Sequence, residues 1–327
     1  MLRNLLFLLT FLLFADFSHG QYRWEFGAKA GVANYLGDIG GYSGPRRDGP
    51  VDMRFEQTNW ALGAYSRYKV SRLLSIQAEF NAARIRGADY LSLNAPRAAR
   101  NLSFRNLIME LSARAEITIF QDNDVGGRGY YNPDFRLYAF AGVGGIYHNP
   151  QARDAETNTW HDLRPLKTED VAYSPFAFVI PKGIGLYFTH KKKHRFGWEF
   201  GWRTTFTDYL DDISGTYGNW HEMDELAQQF SNRTTIEHIN FVNTQAEQAG
   251  LPVSDVNPGS FELSPSGENI HNPNNPQKRG DASNNDSYLF TQFSYGYLIK
   301  GKSNFSRRQS SFIKKKRAVG RKTRAKF

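Results

Sequence analysis

The sequence predicts an all-β fold, an eight-stranded antiparallel transmembrane β-barrel with long extracellular loops. The first observation is the stretch 196–207, where Trp198, Phe200, Trp202, Thr204 and Phe206 alternate with Glu199, Gly201, Arg203, Thr205 and Thr207. Strand side chains swap faces at every residue, so this segment offers an aromatic face suited to lipid and a small, charged face suited to a wet interior. The second is repetition: similar alternation recurs in eight segments, and most of their links alternate short and long, as periplasmic turns and outer loops do. The third is composition. The 327 residues include 25 Phe, 17 Tyr, 6 Trp and 29 Gly. After Gly20 no apolar run reaches the ~20 residues of a membrane helix. A soluble β-sandwich shares the periodicity, but the aromatic load and an export signal favour the barrel.

That signal is residues 1–20. Arg3 is a minimal positive region, Leu5–Phe14 an apolar core too short to span, and Ser18-His19-Gly20 supplies small residues before a cut at Gln21. The chain has no Cys, which excludes disulfides, thiolate metal sites and a lipidated new N-terminus. The barrel is expected over 21–300 and a basic periplasmic tail over 301–327. The formal net charge of +9 sits in that tail: Lys300 to Phe327 holds twelve Lys or Arg and no acid, leaving the body near about −3. Such a tail suits an acidic partner face or anionic headgroups rather than nucleic acid, which an exported chain does not meet.

The first strand is expected over Tyr22–Tyr35, with Trp24, Phe26 and Val32 outward and Glu25 and Lys29 inward. The second, Asn59–Val70, follows a polar loop. A turn at Ser71-Arg72 leads to the third, in which Leu74, Ile76, Ala78 and Phe80 oppose Gln77, Glu79 and Asn81. After an Arg- and Ala-rich loop to about Arg100 comes the longest alternation, Leu107 to Ile119 against Glu110, Ser112, Arg114, Glu116 and Thr118. A Gly-rich turn over 121–135 precedes the fifth strand, Arg136–His148. A polar loop to about Ser174 precedes the sixth, Phe176–Thr189, where Pro181 predicts a bulge or an edge because it cannot donate to a ladder. The basic turn His190–Arg195 and the seventh strand lead into a long insertion, 208–286, with a short amphipathic helix expected from Met223, Leu226, Ala227 and Phe230. The eighth strand is Ser287–Ile299.

Glu25, Lys29, Arg67, Glu79, Glu110, Arg114, Glu116, Glu199 and Arg203 are mixed in sign and predict a self-neutralising plug rather than an ion path. Asp208, Asp211 and Asp212 lack the spacing of a calcium loop and read as turn chemistry, with Tyr209 and Tyr217 at the membrane boundary. They and Asp38 follow strands that end on one rim, where they are expected to shape it and anchor the insertion. His190 and His194 have helical zinc spacing, but three Lys between them predict a solvated basic turn. His161, Asp162, His221 and Asp224 are candidates for a hydrolase pair on loops; no Gly–x–Ser–x–Gly accompanies them.

Asn34-Tyr35-Leu36-Gly37-Asp38-Ile39-Gly40, then 102–116, 138–147, 178–185 and 206–217 (FTDYLDDISGTY) come in the order found in PorG-like outer-membrane barrels. Arg279-Gly280-Asp281 and Asn285-Asp286-Ser287-Tyr288 follow suit before the last strand. Over most of 21–300 the chain resembles that family, most specifically in Tyr-Leu-Gly-Asp and Asp-Tyr-Leu-Asp-Asp. The resemblance implies a non-enzymatic, cofactor-free part of the type IX secretion system, linked to gliding motility, that couples the periplasmic ring to the outer membrane. Its implied partners are ring subunits and outer-membrane lipid. Tyr35, Gly37, Asp38, Asp208, Tyr209, Asp211, Asp212, Arg279, Asp286 and Tyr288 are its candidate structural or interaction residues. The tail matches nothing in the family pattern. A small pore or passive transporter, and an outer-membrane enzyme acting on lipid or peptide, are the rival readings.

Overall fold

A segment whose side chains alternate apolar and charged cannot satisfy both faces in one medium; closing the sheet gives each face its own. The structure is a computed structural model that describes residues 22–39, 53–91, 100–122, 134–233 and 278–300, with a few isolated positions between 240 and 250. The expected signal, the expected tail and the middle of the long insertion lie outside the described residues.

The strands are β1 (Tyr22–Leu36), β2 (Asn59–Lys69), β3 (Leu74–Ala88), β4 (Ser103–Asp122), β5 (Asp134–Tyr147), β6 (Pro150–Arg153), β7 (Trp160–Asp162), β8 (Phe176–His190), β9 (His194–Thr205) and β10 (Ser287–Lys300). Eight of them run in the order β3-β2-β1-β10-β9-β8-β5-β4, and β3 pairs with β4 to close the barrel. Every pairing is antiparallel. Closure removes sheet edges and satisfies the backbone within the hydrocarbon. A spanning strand needs about 9–11 residues; β4 has 20, so its ends project beyond the membrane.

The alternation has the expected phase. Leu111 is 67% exposed and Phe293 69%, while Glu110 is 0% and Arg114 2%. Leu289, although in the outward phase of β10, is buried. Among the described residues no helix is long and apolar enough to cross a membrane.

Four sequence expectations change. The Arg- and Ala-rich loop after the third strand begins late, because β3 continues through Arg84 and Arg86 to Ala88. β4 and β5 reach Asp122 and start at Asp134, which shortens the turn expected over 121–135. The loop before β8 contains the β6–β7 hairpin, which joins the sheet through Arg105↔Gln151. Pro181 marks neither bulge nor edge. It sits inside the barrel wall opposite Arg203, and on its other side the β5–β8 pairing lapses between Ala141↔Lys182 and Gly144↔Val179 without a register change. The missing N–H removes ladder bonds and leaves alignment intact. The expected helix is α1 (Glu225–Ser231), which buries Ala227 and Phe230.

Candidate functional site

The lumen fills from the inward positions of the strands. Lys29 Nζ donates to Glu79 at 2.5 Å and to Glu199 at 2.7 Å. Arg114 reaches Glu199 at 2.5 Å, Arg67 grips both oxygens of Glu25 at 3.0 Å, and Arg203 lies 3.4 Å from Glu79 and Glu110. Glu116 accepts from Arg67 at 3.2 Å. Arg195, from the basic turn, also pairs with Glu25. Five carboxylates thus face these five cations, with Tyr65 and Tyr138 hydroxyls donating to Glu25 at 2.6 Å and Glu199 at 2.5 Å; Arg136, also inward, donates to Gln121 at 3.0 Å instead. Charges so deep are tolerable only when paired and hydrogen-bonded.

Above this plug, at the rim where β1, β3, β5 and β9 end, the loops close into a buried knot. Tyr35 and Tyr288 are direct partners across β1 and β10, and they look in different directions. The Tyr288 hydroxyl donates into the lumen, to Glu110 Oε2 at 2.7 Å. The Tyr35 hydroxyl lies between Asp211 Oδ2 at 2.7 Å and Asp286 Oδ1 at 2.6 Å, and accepts from the Asp38 amide at 3.1 Å. Backbone amides complete the carboxylates: Ile213 and Ile39 donate to Asp211, and Leu210 to Asp286. Gly37 is required by contact, since a Cβ there would strike the Tyr35 hydroxyl and Asp286 Oδ1. Gly280 is confined likewise, 2.6 Å from Asp38 Oδ2 in the same sense, and the next amide, Asp281, donates to that oxygen at 2.7 Å.

Further charged contacts tie in the remaining loops. Arg279 donates to Thr168, Glu169 and the Asp212 carbonyl at 2.8, 3.1 and 2.6 Å. Asp212, at φ 72°, accepts from Thr168 and Tyr173 at 2.6 and 2.7 Å. Arg100 joins Asp89 to the carbonyls of Asp38 and Arg279. Leu210, Ile213, Phe104, Leu163 and Phe230 pack around this polar centre. Burial, then the Asp38 charge, pushes the Asp211 carboxyl well above the usual range, against the Tyr35 hydrogen bond. Burial, then the Asp211 and Asp208 charges, does the same to Asp286. Asp212 rises to about 6 by burial, with Arg279 and its two hydroxyl donors opposing.

The ten candidate residues therefore gather: Tyr35, Gly37, Asp38, Asp211 and Asp286 at the centre, Asp212 and Arg279 around it, and Tyr288 beneath. Asp208 is buried beside them, its charge acting on Asp211 and Asp286. Tyr209 stacks on Tyr173 with centroids 4.5 Å apart. Tyr217, expected at the membrane boundary, is instead buried, 5.9 Å below the Arg279 guanidinium. No local sequence pattern marks Thr168, Glu169 and Arg100, because their polar loops show no periodicity. His190 and His194 face each other across the β8–β9 turn rather than along a helix. His161 packs against Phe230, 5.5 Å between centroids, and Asp162 accepts from Gln151. Among the described residues no cluster of His, Asp and Glu could hold a metal ion.

Residues 3–235 match the family described as Domain of unknown function (DUF6089). No curated protein matches the chain. Among solved structures, the chain is similar to the outer membrane protein OprG of Pseudomonas aeruginosa, at 8% identity over 86% of this chain and 99% of that one, with a TM-score of 0.35. The N-terminal β-barrel domain of OprF from the same organism gives 8%, 85%, 100% and 0.30. Ail, the attachment invasion locus protein of Yersinia pestis, gives 8%, 85%, 99% and 0.33.

Proposed function

Because the chain belongs to the family described as Domain of unknown function (DUF6089), a description that carries no chemistry, we propose its role from its own geometry. It is an outer-membrane protein that serves as a structural component of the type IX secretion machinery, linking the periplasmic ring to the outer membrane. The observation that carries this reading is convergence: the Tyr35–Asp38, Asp208–Asp212 and Arg279–Tyr288 pieces of the PorG-like resemblance meet in one buried knot. Their role is to lock the long loops onto the barrel, and the paired charges beneath make the lumen a solid post. A rigid fixture of this kind transmits position rather than solute.

With long loops outside and short turns in the periplasm, the short-turn rim is the face that meets the ring. It exposes Arg72, Lys191, Lys192 and Lys193, so an acidic partner face is the complement. A gentle detergent pull-down from native membranes should bring periplasmic ring subunits with the barrel. Recovery of the barrel alone, from membranes whose rings are intact, would overturn the reading. Planar-bilayer recording separates it from a passive pore, which would carry steady current; the plugged lumen carries none. Replacing His161 and His221 by Ala leaves a scaffold working and would silence an enzyme that uses them.

A further inference from the structure

The outer wall of the barrel is hollowed between β3, β4, β5 and β8. A groove of about 370 Å³ is lined by Phe80, Leu111, Gly145, Tyr147, Phe176 and Phe178, most of them exposed on the lipid-facing side. Gly145 leaves the space open: a Cβ there would meet nothing nearer than the Ala177 carbonyl at 4.0 Å. Toward the long-loop rim lies a second hollow of about 210 Å³, lined by Arg84, Arg105, Asn149 and Gln151, and Tyr147 lines both. The register sets Phe80 opposite Leu111 and Arg84 opposite Leu107. Four residues, roughly 13 Å of strand, therefore separate the apolar end from the arginine end.

The arginines are held ready. The Arg105 guanidinium lies 3.6 Å from the Trp160 ring centroid and donates to Gln151 at 3.0 Å. The Arg84 guanidinium lies 5.8 Å from the Trp60 ring. Arg86, opposite Arg105 in the register, donates to the Glu56 carbonyl at 2.6 Å. Among the described residues none of these three forms an ion pair with a carboxylate, whereas Arg67, Arg114, Arg195 and Arg203 in the lumen each do. Tyr and Trp mark the headgroup level of a membrane protein, and here they surround the arginines at the top of the apolar wall. Guanidinium groups recognise phosphate by paired hydrogen bonds.

A cationic shelf above an apolar groove complements an amphiphile that carries phosphate on a hydrocarbon body. We propose that this wall binds a phosphoglycolipid of the lipid A type from the outer leaflet, with an acyl chain in the groove and phosphate on Arg84 and Arg105. The assignment of leaflet rests on the reading that the long loops face outward. Holding such a lipid would fix the barrel's depth and rotation against the leaflet that a secretion fixture must brace on.

The test uses the purified, folded chain in neutral detergent, with native mass spectrometry counting retained lipid. Lipid A should be retained, and dephosphorylated lipid A should be held about tenfold more weakly, the loss of roughly 1.4 kcal/mol of phosphate contact. Paired R84S and R105S substitutions should reproduce that loss for lipid A, while R72S at the opposite rim should not. G145L, which fills the groove without a backbone clash, should displace the acyl chain and lower retention independently of charge. Because the dephosphorylated lipid needs no protein variant, the test stands even where a variant fails to fold. Equal retention of lipid A with and without phosphate would overturn the proposal. Wild-type retention by both the arginine and the G145L variants would overturn it too, as would phosphatidylglycerol held as tightly as lipid A. No secretion subunit takes part, so this failure is distinct from failure of the ring pull-down.

Discussion

The Tyr35 hydroxyl lies 2.6 Å from Asp286 Oδ1, joining the end of the first strand to the start of the last across 251 residues of chain. The same hydroxyl is 2.7 Å from Asp211 Oδ2. A phenol has one hydrogen and can donate to only one of them. The other carboxyl must donate to the phenol oxygen, so one proton is held between two buried acids. Asp211 accepts two backbone amides and Asp286 one, which places the charge on Asp211 and the proton on Asp286.

Asp286→Asn is therefore a faithful mimic, because its amide can donate to Tyr35 while its oxygen accepts from Leu210. Asp211→Asn replaces an acceptor by a donor facing donors, and should cost about 1–3 kcal/mol. Thermal unfolding of the folded barrel in detergent checks the pair. Equal losses from both substitutions would refute the proton assignment.

The knot should also loosen as pH rises. Asp211 and Asp286 have raised carboxyl pKa values, and Asp212 is raised to about 6 from its ordinary 3.8. A group raised on folding contributes stability that is fully present below its unfolded value and lost as pH climbs through the folded one. Protection of the Leu210 and Ile213 amides, corrected for intrinsic exchange, should fall as pH climbs from about 4 through about 6. Asp286→Asn should flatten part of that slope. Protection that grows with pH contradicts the account.

How much of this was legible follows from range. The lipid and lumen phases of β4 could be read directly, because Leu107–Ile119 reports its own period. The resemblance singled out Tyr35, Asp211 and Asp286, but burial and mutual contact depend on partners over 170 residues apart, and no local pattern encodes them. The alternation of β3 is legible only through Asn81, because outward Arg84 and Arg86 break the apolar rhythm; those arginines stand where the wall leaves the hydrocarbon. Arg195 looked like part of a solvated turn, yet it is 6% exposed and pairs with Glu25. The β6–β7 hairpin, with strands of four and three residues, is too short to show alternation at all.

Gly37→Ala should act through the same bridge as the tyrosine. Its methyl would push the Tyr35 hydroxyl off Asp286, at a cost of about 1–3 kcal/mol. Combined with Tyr35→Phe, the loss should be clearly smaller than the two added together, since both remove one contact. Full additivity in a double-mutant cycle would show that Gly37 matters for another reason.

The two faces of the wall should respond differently to one residue. Leu111→Arg or Phe293→Arg puts charge against lipid and should cost roughly 2–4 kcal/mol near the midplane. Ser112→Arg or Gly201→Arg crowds the lumen network instead, and should disturb the folded state more than insertion. Assembly into vesicles, followed by gel mobility with and without heating, distinguishes the classes. Identical insertion defects would mean that the strand phase is wrong.

In the function proposed above, the short-turn rim is where this barrel meets the periplasmic ring. Since the chain contains no Cys, single replacements make clean probes: Arg72→Cys on the short-turn rim and Asn284→Cys on the long-loop rim, both exposed. In native cells a cysteine-tethered photo-cross-linker at Arg72→Cys should capture a ring subunit, while the same probe at Asn284→Cys should capture none and react with impermeant maleimide from outside. Ring capture from Asn284→Cys with none from Arg72→Cys would contradict the account.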